Sequence, residues 1–269
     1  MSLRDINSDI VVFKVGTSTL TYDTGKLNLN RLDKLSRILS DLKNSGKKVV
    51  LVSSGAIGGG MSKLGMTKRP ESVKEKQAIA AVGQCELMSI YDRLFAEYGS
   101  VVAQILLTKD VLTNKERNEN IINTINVLLD KGIIPIDNEN DSISIDEIKF
   151  GDNDTLSAIV SKLINANTLI ILSDIDGLYD KNPREYPDAK IIKTVDVIDE
   201  NIENMASGAG SKRGTGGMIT KISAAKMATK NGCDVIIANG SDPHIIYEIL
   251  DGVEIGTIFK GDLKCQKNF

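Results

Sequence analysis

The sequence predicts an α/β protein in which a mainly parallel sheet is covered by helices on both faces. Short apolar runs rich in β-branched residues alternate with longer segments of helical periodicity, the signature of repeated βαβ units. The apolar runs are nearly continuous rather than alternating, as is typical of strands buried on both faces. At 269 residues the chain is long enough to bury a full core.

The predicted elements follow one another without an internal repeat, a low-complexity tract or an obvious linker. Strands are predicted over residues 10–15, 48–53, 101–107, 133–137, 168–173 and 234–238. Leu32, Leu35, Leu39 and Leu42 recur at helical spacing, and Gly46 marks the end of that helix. Further helices are predicted over residues 73–98, 118–131, 155–165 and 219–231, and short hairpin strands over residues 143–149 and 190–195.

The net charge and the rare residue types narrow the possible functions. A formal net charge of -3 argues against a nucleic-acid or membrane partner, and no apolar run approaches the roughly 20 residues that span a bilayer. Cys85, Cys233 and Cys265 are odd in number and widely spaced, and no signal peptide precedes them, so reduced thiols and a cytoplasmic location are expected. The single histidine, His244, lies where a helix should begin, which argues against Ser-His-Asp triads and histidine-ligated metal sites.

Glycine-rich loops follow predicted strands at three places, where backbone amides can approach anionic groups. The first loop begins at Lys14, the second covers residues 53–60, and the third covers residues 208–218 before a helix that carries Lys221. Ligands bind beyond the carboxyl ends of the strands in open α/β sheets, where all three loops are expected. The motif GxxxxGK[ST] is absent, as is GxGxxG after the first strand, so P-loop and dinucleotide folds are disfavoured.

Two clusters of acidic and amide side chains also lie at the ends of elements. Residues 138–141 (Asn-Glu-Asn-Asp) follow one strand, and residues 151–154 (Gly-Asp-Asn-Asp) open a helix. Capping of that helix by Asp152 or Asn153 is one explanation, but the two clusters together favour a site for a cationic or zwitterionic ligand. Asp174 and Asp176, after the fifth strand, are either turn formers or nucleotide contacts.

These motifs, taken together and in order, resemble the motif set of the amino acid kinase superfamily, most closely its glutamate-phosphorylating branch. The resemblance covers about residues 10 to 221 and is specific because the order of all its motifs is kept. The motifs are KVGTS at 14–18, SSGAI at 53–57, NEND at 138–141, GDND at 151–154, Ser-Asp at 173–174 with Gly-Leu-Tyr at 177–179, and GTGGM at 214–218 with Lys221.

The resemblance implies an αβα sandwich with a central, mostly parallel sheet of about eight strands. Residues 1–269 would form a single amino acid kinase domain, with a glutamate-binding N-lobe over about 1–165 and an ATP-binding C-lobe over about 166–269. Many members of the superfamily carry a C-terminal PUA domain. This sequence ends too soon after Phe259 for one, so no PUA domain is expected.

The resemblance also implies roles for individual residues. Lys14 and Lys221 would contact the transferring phosphoryl group, and Asp154 would orient the two lysines. No metal ligand from the protein is implied, because Mg²⁺ would be held largely by the ATP phosphates and water. Glutamate would be bound by Ser54, Asp141 and Asn153, and ATP by Lys14, Ser173, Asp174, Thr215, Gly216, Gly217, Met218, Ile219, Thr220 and Lys221.

The implied reaction moves the γ-phosphate of ATP onto the γ-carboxylate of L-glutamate, which gives L-glutamyl 5-phosphate and begins proline biosynthesis. A carboxylate is already ionised at neutral pH and needs no general base, which fits the near-absence of histidine. Two lysines and Mg²⁺ would stabilise an in-line transfer between anions. The resemblance further implies a homo-oligomer, a dimer or tetramer, with proline as a possible feedback inhibitor.

Two other hypotheses stay open at this point. The chain could be another acid kinase of the same superfamily, acting on acetylglutamate, aspartate or carbamate, or a kinase for a nucleoside monophosphate. It could also be a non-catalytic sensor of amino acids or nucleotides built on the same fold. Loss of Lys14 or Lys221 would be expected in a sensor, and both lysines are present.

Overall fold

The strands in the described part of the chain form one continuous sheet. The computed structural model describes residues 3–22, 24–143, 153–207 and 217–262. Its strands are β1 Ile10–Val15, β2 Lys48–Ser53, β3 Val102–Leu107, β4 Ile134–Glu139, β5 Thr168–Ser173, β6 Thr194–Val195, β7 Asp234–Asn239 and β8 Thr257–Phe259. They lie in the order β3-β4-β2-β1-β5-β7-β8-β6, and every neighbouring pair is parallel except β7 and β8. The prediction of a mostly parallel sheet of about eight strands is confirmed.

Helices cover both faces of this sheet, so the predicted αβα layering is confirmed. They are α1 Thr17–Leu20, α2 Leu29–Asn44, α3 Ala56–Lys63, α4 Val73–Glu97, α5 Lys115–Asp130, α6 Asn153–Leu163, α7 Glu200–Ser207, α8 Met218–Thr229 and α9 Ile245–Leu250. Apolar side chains of α5, α6 and α8 pack on one face, and those of α2, α4 and α9 pack on the other. In the described ranges, no helix has both the length and the apolar character that crossing a bilayer requires.

Helix boundaries follow from local chemistry. The side chain of Asn28 accepts a backbone hydrogen bond in the first turn of α2, and Gly46 adopts a φ of 97° just after that helix ends. Ser72 caps α4 by accepting from the backbone N–H of Glu75. His244 occupies the N-cap position of α9, so the predicted helix start is confirmed.

The structure corrects two sequence-based expectations, and a third falls largely outside the described residues. The hairpin predicted over residues 190–195 is confirmed only at Ile191, which forms one antiparallel bridge to Tyr179. Thr194–Val195 is a strand that pairs in parallel with β8, which a hairpin does not do. The hairpin predicted over residues 143–149 lies, apart from its first residue, outside the described residues. The strand β4 extends two residues beyond its predicted end, because β3 continues to pair with Asn138 and Glu139.

A backbone contact between glycines holds α3 against α4. Gly55, with a φ of 107°, makes the left-handed turn from β2 into α3. A Cβ on Gly60 would lie 2.0 Å from the carbonyl oxygen of Ile79, and one on Gly83 would lie 1.7 Å from that of Ala56. Glycine at these positions therefore brings the middle of α4 close to the turn that follows β2.

Candidate active site

A buried carboxylate joins two buried lysines near the carboxyl ends of the central strands. Lys14 is the fifth residue of β1 and points to the face covered by α6 and α8, because side chains alternate along a strand. Its Nζ lies 2.6 Å from Oδ1 of Asp154 in the first turn of α6. The Nζ of Lys221, in the first turn of α8, lies 3.0 Å from Oδ2 of the same carboxylate. The three residues are at most 6% exposed.

The electrostatics of this cluster leave a positive charge for a ligand. Burial alone would raise the pKa of Asp154, but the charges of Lys14 and Lys221 outweigh burial and hold that pKa at about 2. The hydroxyl of Thr220 also lies 2.8 Å from Oδ2 of Asp154. Burial lowers the pKa of Lys221, and the negative charge of Asp154 opposes that change. Two ammonium groups around one carboxylate leave one net positive charge, which an anionic ligand can neutralise.

Side-chain amides form a second cluster beside the first. The Nδ2 of Asn153 lies 2.9 Å from the carbonyl oxygen of Ser53, 2.9 Å from Oγ of Ser54 and 2.8 Å from Oδ1 of Asn138. Asn138 in turn donates from Nδ2 to Oε1 of Gln84 at 2.7 Å. Oδ1 of Asn153 and Nε2 of Gln84 are buried and have no hydrogen-bond partner among the described residues. Such atoms are costly to leave unpaired, so this cluster is suited to a polar ligand.

Asp141 follows β4 at the same edge of the sheet, because β2 and β4 are adjacent parallel strands. Its side chain is buried, and its Oδ1 has no hydrogen-bond partner within the described part of the chain. Burial and the neighbouring carboxyl group of Glu139 raise the pKa of Asp141 to about 7. A cationic ligand would supply the missing partner and favour the ionised form.

The predicted nucleotide residues lie beyond β5 and at the start of α8. Ser173 ends β5, and its hydroxyl donates to Oδ1 of Asp174 at 3.2 Å. Asp174 is close enough to Lys221 for its charge to raise the pKa of that lysine. Gly217 is the N-cap of α8, and a Cβ placed there would meet no atom of the described residues within 4 Å. The start of a twelve-residue helix with a lysine one turn away is a suitable place for a phosphate.

The other residues predicted to bind ATP differ in their surroundings. The side chain of Met218 packs into the apolar core, so only its backbone is available to a ligand. Ile219 is 56% exposed. The hydroxyl of Thr220 is directed at Asp154 and at the carbonyl oxygen of Gly217, and so acts on the lysine cluster from within α8. Thr215 and Gly216 lie outside the described residues.

Two members of the amide cluster have no predicted role in the sequence. Asn138 belongs to a quoted motif, and the extended pairing of β4 turns its side chain towards α4. Gln84 is far from every motif, and its signal is a polar side chain on the otherwise apolar buried stripe of α4, between Ile79 and Leu87. A buried glutamine on such a stripe indicates a polar partner across the interface.

A further buried carboxyl group, that of Asp137, belongs to neither cluster. It is fully buried, and neither of its oxygens has a hydrogen-bond partner among residues that the structure describes. In the sheet it pairs with Val52 and Ile105, and Val52 pairs with Lys14 on its other side, so Lys14 is two strand spacings away. Burial raises the pKa of Asp137 to about 8, so this group is mainly protonated at neutral pH.

Replacing Asp137 by asparagine should therefore change the pH dependence of stability. The folded pKa lies above the unfolded one, so wild-type stability falls as pH rises from about 4 towards 8, and the neutral amide removes this loss. We expect the difference in unfolding free energy between Asp137→Asn and wild type to grow by about 1–3 kcal/mol from pH 5 to pH 8. Urea unfolding across this range measures it, with the exposed Asp251→Asn as control. A difference in unfolding free energy that does not change with pH would contradict the raised pKa of Asp137.

Comparison with known proteins identifies the family of the chain. Residues 9–239 match the model of the amino acid kinase family. The chain is 62% identical over 262 residues to a glutamate 5-kinase of Clostridium perfringens, covering 96% of this chain and 97% of that protein. It is 52% identical over 257 residues to a glutamate 5-kinase of Listeria monocytogenes, covering 94% and 93% of the two chains.

The fold is also found in a solved structure of much lower sequence similarity. The structure of UMP kinase from Bacillus anthracis matches with a TM-score of 0.63 at 16% identity, covering 95% of this chain and 97% of that one. At that identity the likeness supports the fold alone. The family model covers most of the chain, and the relatives match over nearly its full length. The chain therefore belongs to the amino acid kinase family.

Proposed function

We propose that this chain is a glutamate 5-kinase, which transfers the γ-phosphate of ATP to the γ-carboxylate of L-glutamate. The observation that carries the proposal is the buried cluster of Lys14, Asp154 and Lys221. This cluster lies between the amide cluster beyond β2 and β4 and the residues proposed to bind ATP, beyond β5 and at the start of α8. The two relatives reported above, at 62% and 52% identity, are named for the same activity.

The lysine cluster supplies the charge that the reaction needs. One oxygen of the glutamate γ-carboxylate forms a bond to the γ-phosphorus while the bond from that phosphorus to the bridging oxygen of ADP breaks. Negative charge on the transferring group must be stabilised as an anion approaches a polyanion. Lys14 and Lys221 would contact this group, and Asp154 would hold both lysines in place before ATP arrives. Because the charges are already positioned, little reorganisation is needed during the transfer.

ATP would bind beyond β5 and at the start of α8. Backbone N–H groups at the helix start and the side chain of Lys221 would face the ATP phosphates there. The residues involved would be Ser173, Asp174 and Thr215 to Lys221. Among the described residues, no three His, Cys, Asp or Glu side chains are grouped to hold a metal ion, so Mg²⁺ would arrive with ATP, held by phosphates and water.

Glutamate would bind in the other half of the site. The hydroxyl of Ser54 and the side-chain amide of Asn153, which are oriented by their mutual hydrogen bond, would contact the carboxylates or the amine of glutamate. Asp141 would accept hydrogen bonds from the α-ammonium group, since its buried oxygen lacks a partner among the described residues. This arrangement favours free glutamate over acids whose amine is blocked.

Measurement of ADP release with a panel of acids tests the proposed function. We expect MgATP turnover with L-glutamate, at least about tenfold lower kcat/KM with aspartate, carbamate and UMP, and at least about 10²-fold lower kcat/KM with N-acetylglutamate. No turnover with any acceptor, while ATP still binds, would support the sensor hypothesis instead. A preference for another acceptor would overturn the assignment of glutamate but leave the kinase intact.

Further properties belong to the same proposal. We propose a cytoplasmic homo-oligomer, a dimer or a tetramer, in which proline competes at the glutamate site. Proline shares the α-carboxylate of glutamate and a cationic amine, so Asp141 would serve both ligands. Light scattering measures the assembly, and glutamate kinetics with and without proline measure the competition.

A further inference from the structure

The side chain of Gln84 lies at the end of a chain of hydrogen-bonded amides. This chain passes from one face of the sheet to the other at the carboxyl end of β4. Gln84 is on α4, on one face of the sheet, and Asn153 is on α6, on the other face. Asn138, at the end of β4, connects them, since it donates to Gln84 at 2.7 Å and accepts from Asn153 at 2.8 Å. Asn153 then reaches Ser54 at 2.9 Å.

The orientation of each amide in this chain depends on the one before it. Oδ1 of Asn138 accepts from Asn153 and also from the backbone N–H of Glu139, so this oxygen must face those two donors. Its Nδ2 consequently points towards α4, where Oε1 of Gln84 accepts the hydrogen bond. Without that acceptor, the amide group of Asn138 loses the contact that fixes which way it faces.

The packing of α3 on α4 gives Gln84 little freedom to move. Gly83, its neighbour in the chain, contacts the backbone of Ala56 so closely that no Cβ fits between them. Ala56 begins α3 two residues after Ser54. The side chain of Gln84 is 9% exposed and so is confined beside the same turn.

We infer that Gln84 is a positioning residue for glutamate binding, which acts through Asn138 on Asn153 and Ser54. This inference rests on the proposed function, because it concerns the acceptor half of that site. Gln84 contacts neither the lysine cluster nor the start of α8 by any hydrogen bond that the described structure contains. Its loss should therefore disturb the acceptor more than the nucleotide.

Stability and binding should respond differently to loss of this amide. Methionine at position 84 has similar length and removes the hydrogen bond to Asn138, but it also removes the buried Nε2 that has no partner among the described residues. These two effects on stability oppose each other. We expect Gln84→Met to raise the KM for glutamate about tenfold, to leave the KM for ATP within about twofold, and to change the melting temperature little.

The experiment compares steady-state kinetics of wild type, Gln84→Met and Gln84→Asn. Asparagine keeps an amide but is one methylene shorter, so it cannot reach Asn138, and it tests the inference if the methionine variant folds poorly. The control is Gln77→Met, two turns earlier on α4, where the described structure shows no hydrogen bond of the side chain. Asn138→Ala with and without Gln84→Met completes a double-mutant cycle.

The possible results separate the role of Gln84 from the proposed glutamate kinase activity. On the Asn138→Ala background, Gln84→Met should raise the KM for glutamate no more than about twofold, because its effect passes through Asn138. An unchanged KM for glutamate in both Gln84 variants, or an equal effect with and without Asn138, would overturn the inference. Lack of glutamate turnover in wild type would instead overturn the proposed function, so the two failures are distinguishable.

Discussion

The Lys221→Ala variant should retain less than about one hundredth of wild-type kcat, with a much smaller change in the KM for glutamate. Removal of one preorganised charge from a phosphoryl transition state costs about 10²–10³-fold in rate. After this change, Lys14 and Asp154 neutralise each other, and the net positive charge of the cluster is lost. Lys14→Ala should have an effect of the same size, for the same reason.

ADP release at saturating ATP and glutamate measures both variants. The matched control is Lys226→Ala, which lies on the same helix but pairs with Glu203 away from the cluster. It should keep nearly full activity. If Lys14→Ala or Lys221→Ala keeps more than about a tenth of wild-type kcat, the role of that lysine is wrong.

The second large effect concerns Asp141 and the α-ammonium group of the substrate. We expect Asp141→Asn to raise the KM for glutamate by about 10²-fold while the KM for ATP stays nearly constant, because the nucleotide half of the site is separate. Wild type should also prefer glutamate over N-acetylglutamate by at least about 10²-fold in kcat/KM, since the acetylated nitrogen is neutral.

The pH dependence gives an independent test of the same residue. Burial raises the pKa of Asp141 to about 7 without ligand, and only the ionised carboxylate pairs with an ammonium group. The KM for glutamate in wild type should rise as pH falls from 8 to 6, and Asp141→Asn should lack this rise. A normal KM in the mutant would contradict the role of Asp141. Equal wild-type kcat/KM for the two acids would contradict the choice of glutamate as substrate.

The sequence predicts the fold well where periodicity is strong. The apolar runs from β1 to β5 and β7 lie within two residues of their predicted bounds, because strands buried on both faces leave a clear pattern. β6 and β8, with two and three residues, are too short for such a pattern. The start of α6 is predicted two residues late, because Asn153 and Asp154 are polar residues whose burial depends on partners elsewhere in the chain.

The candidate site is predictable only in part. The apolar surroundings of Lys14 in the sequence indicate a buried cation, and the structure supplies its partner in Asp154. No spacing in the sequence indicates that Gln84 meets Asn138, since 54 residues separate them and the contact depends on glycine packing between α3 and α4. The roles of Ser54, Asp141 and Asn153 in binding glutamate stay predictions that the experiments above address.

The strand order sets a fixed span across the proposed reacting centre. β1 separates β2, which leads to Ser54, from β5, which ends at Ser173, and hydrogen-bonded pairing holds all three in register. Two strand spacings amount to roughly 10 Å, and a hydrogen-bonded sheet does not shorten to suit a smaller acid. An acceptor with one methylene less, such as aspartate, would place its carboxylate about 1.5 Å short of the phosphorus. Since a misplacement of about 1 Å can cost 10²-fold in rate, the backbone itself would discriminate acids by length, whichever side chains hold their other end.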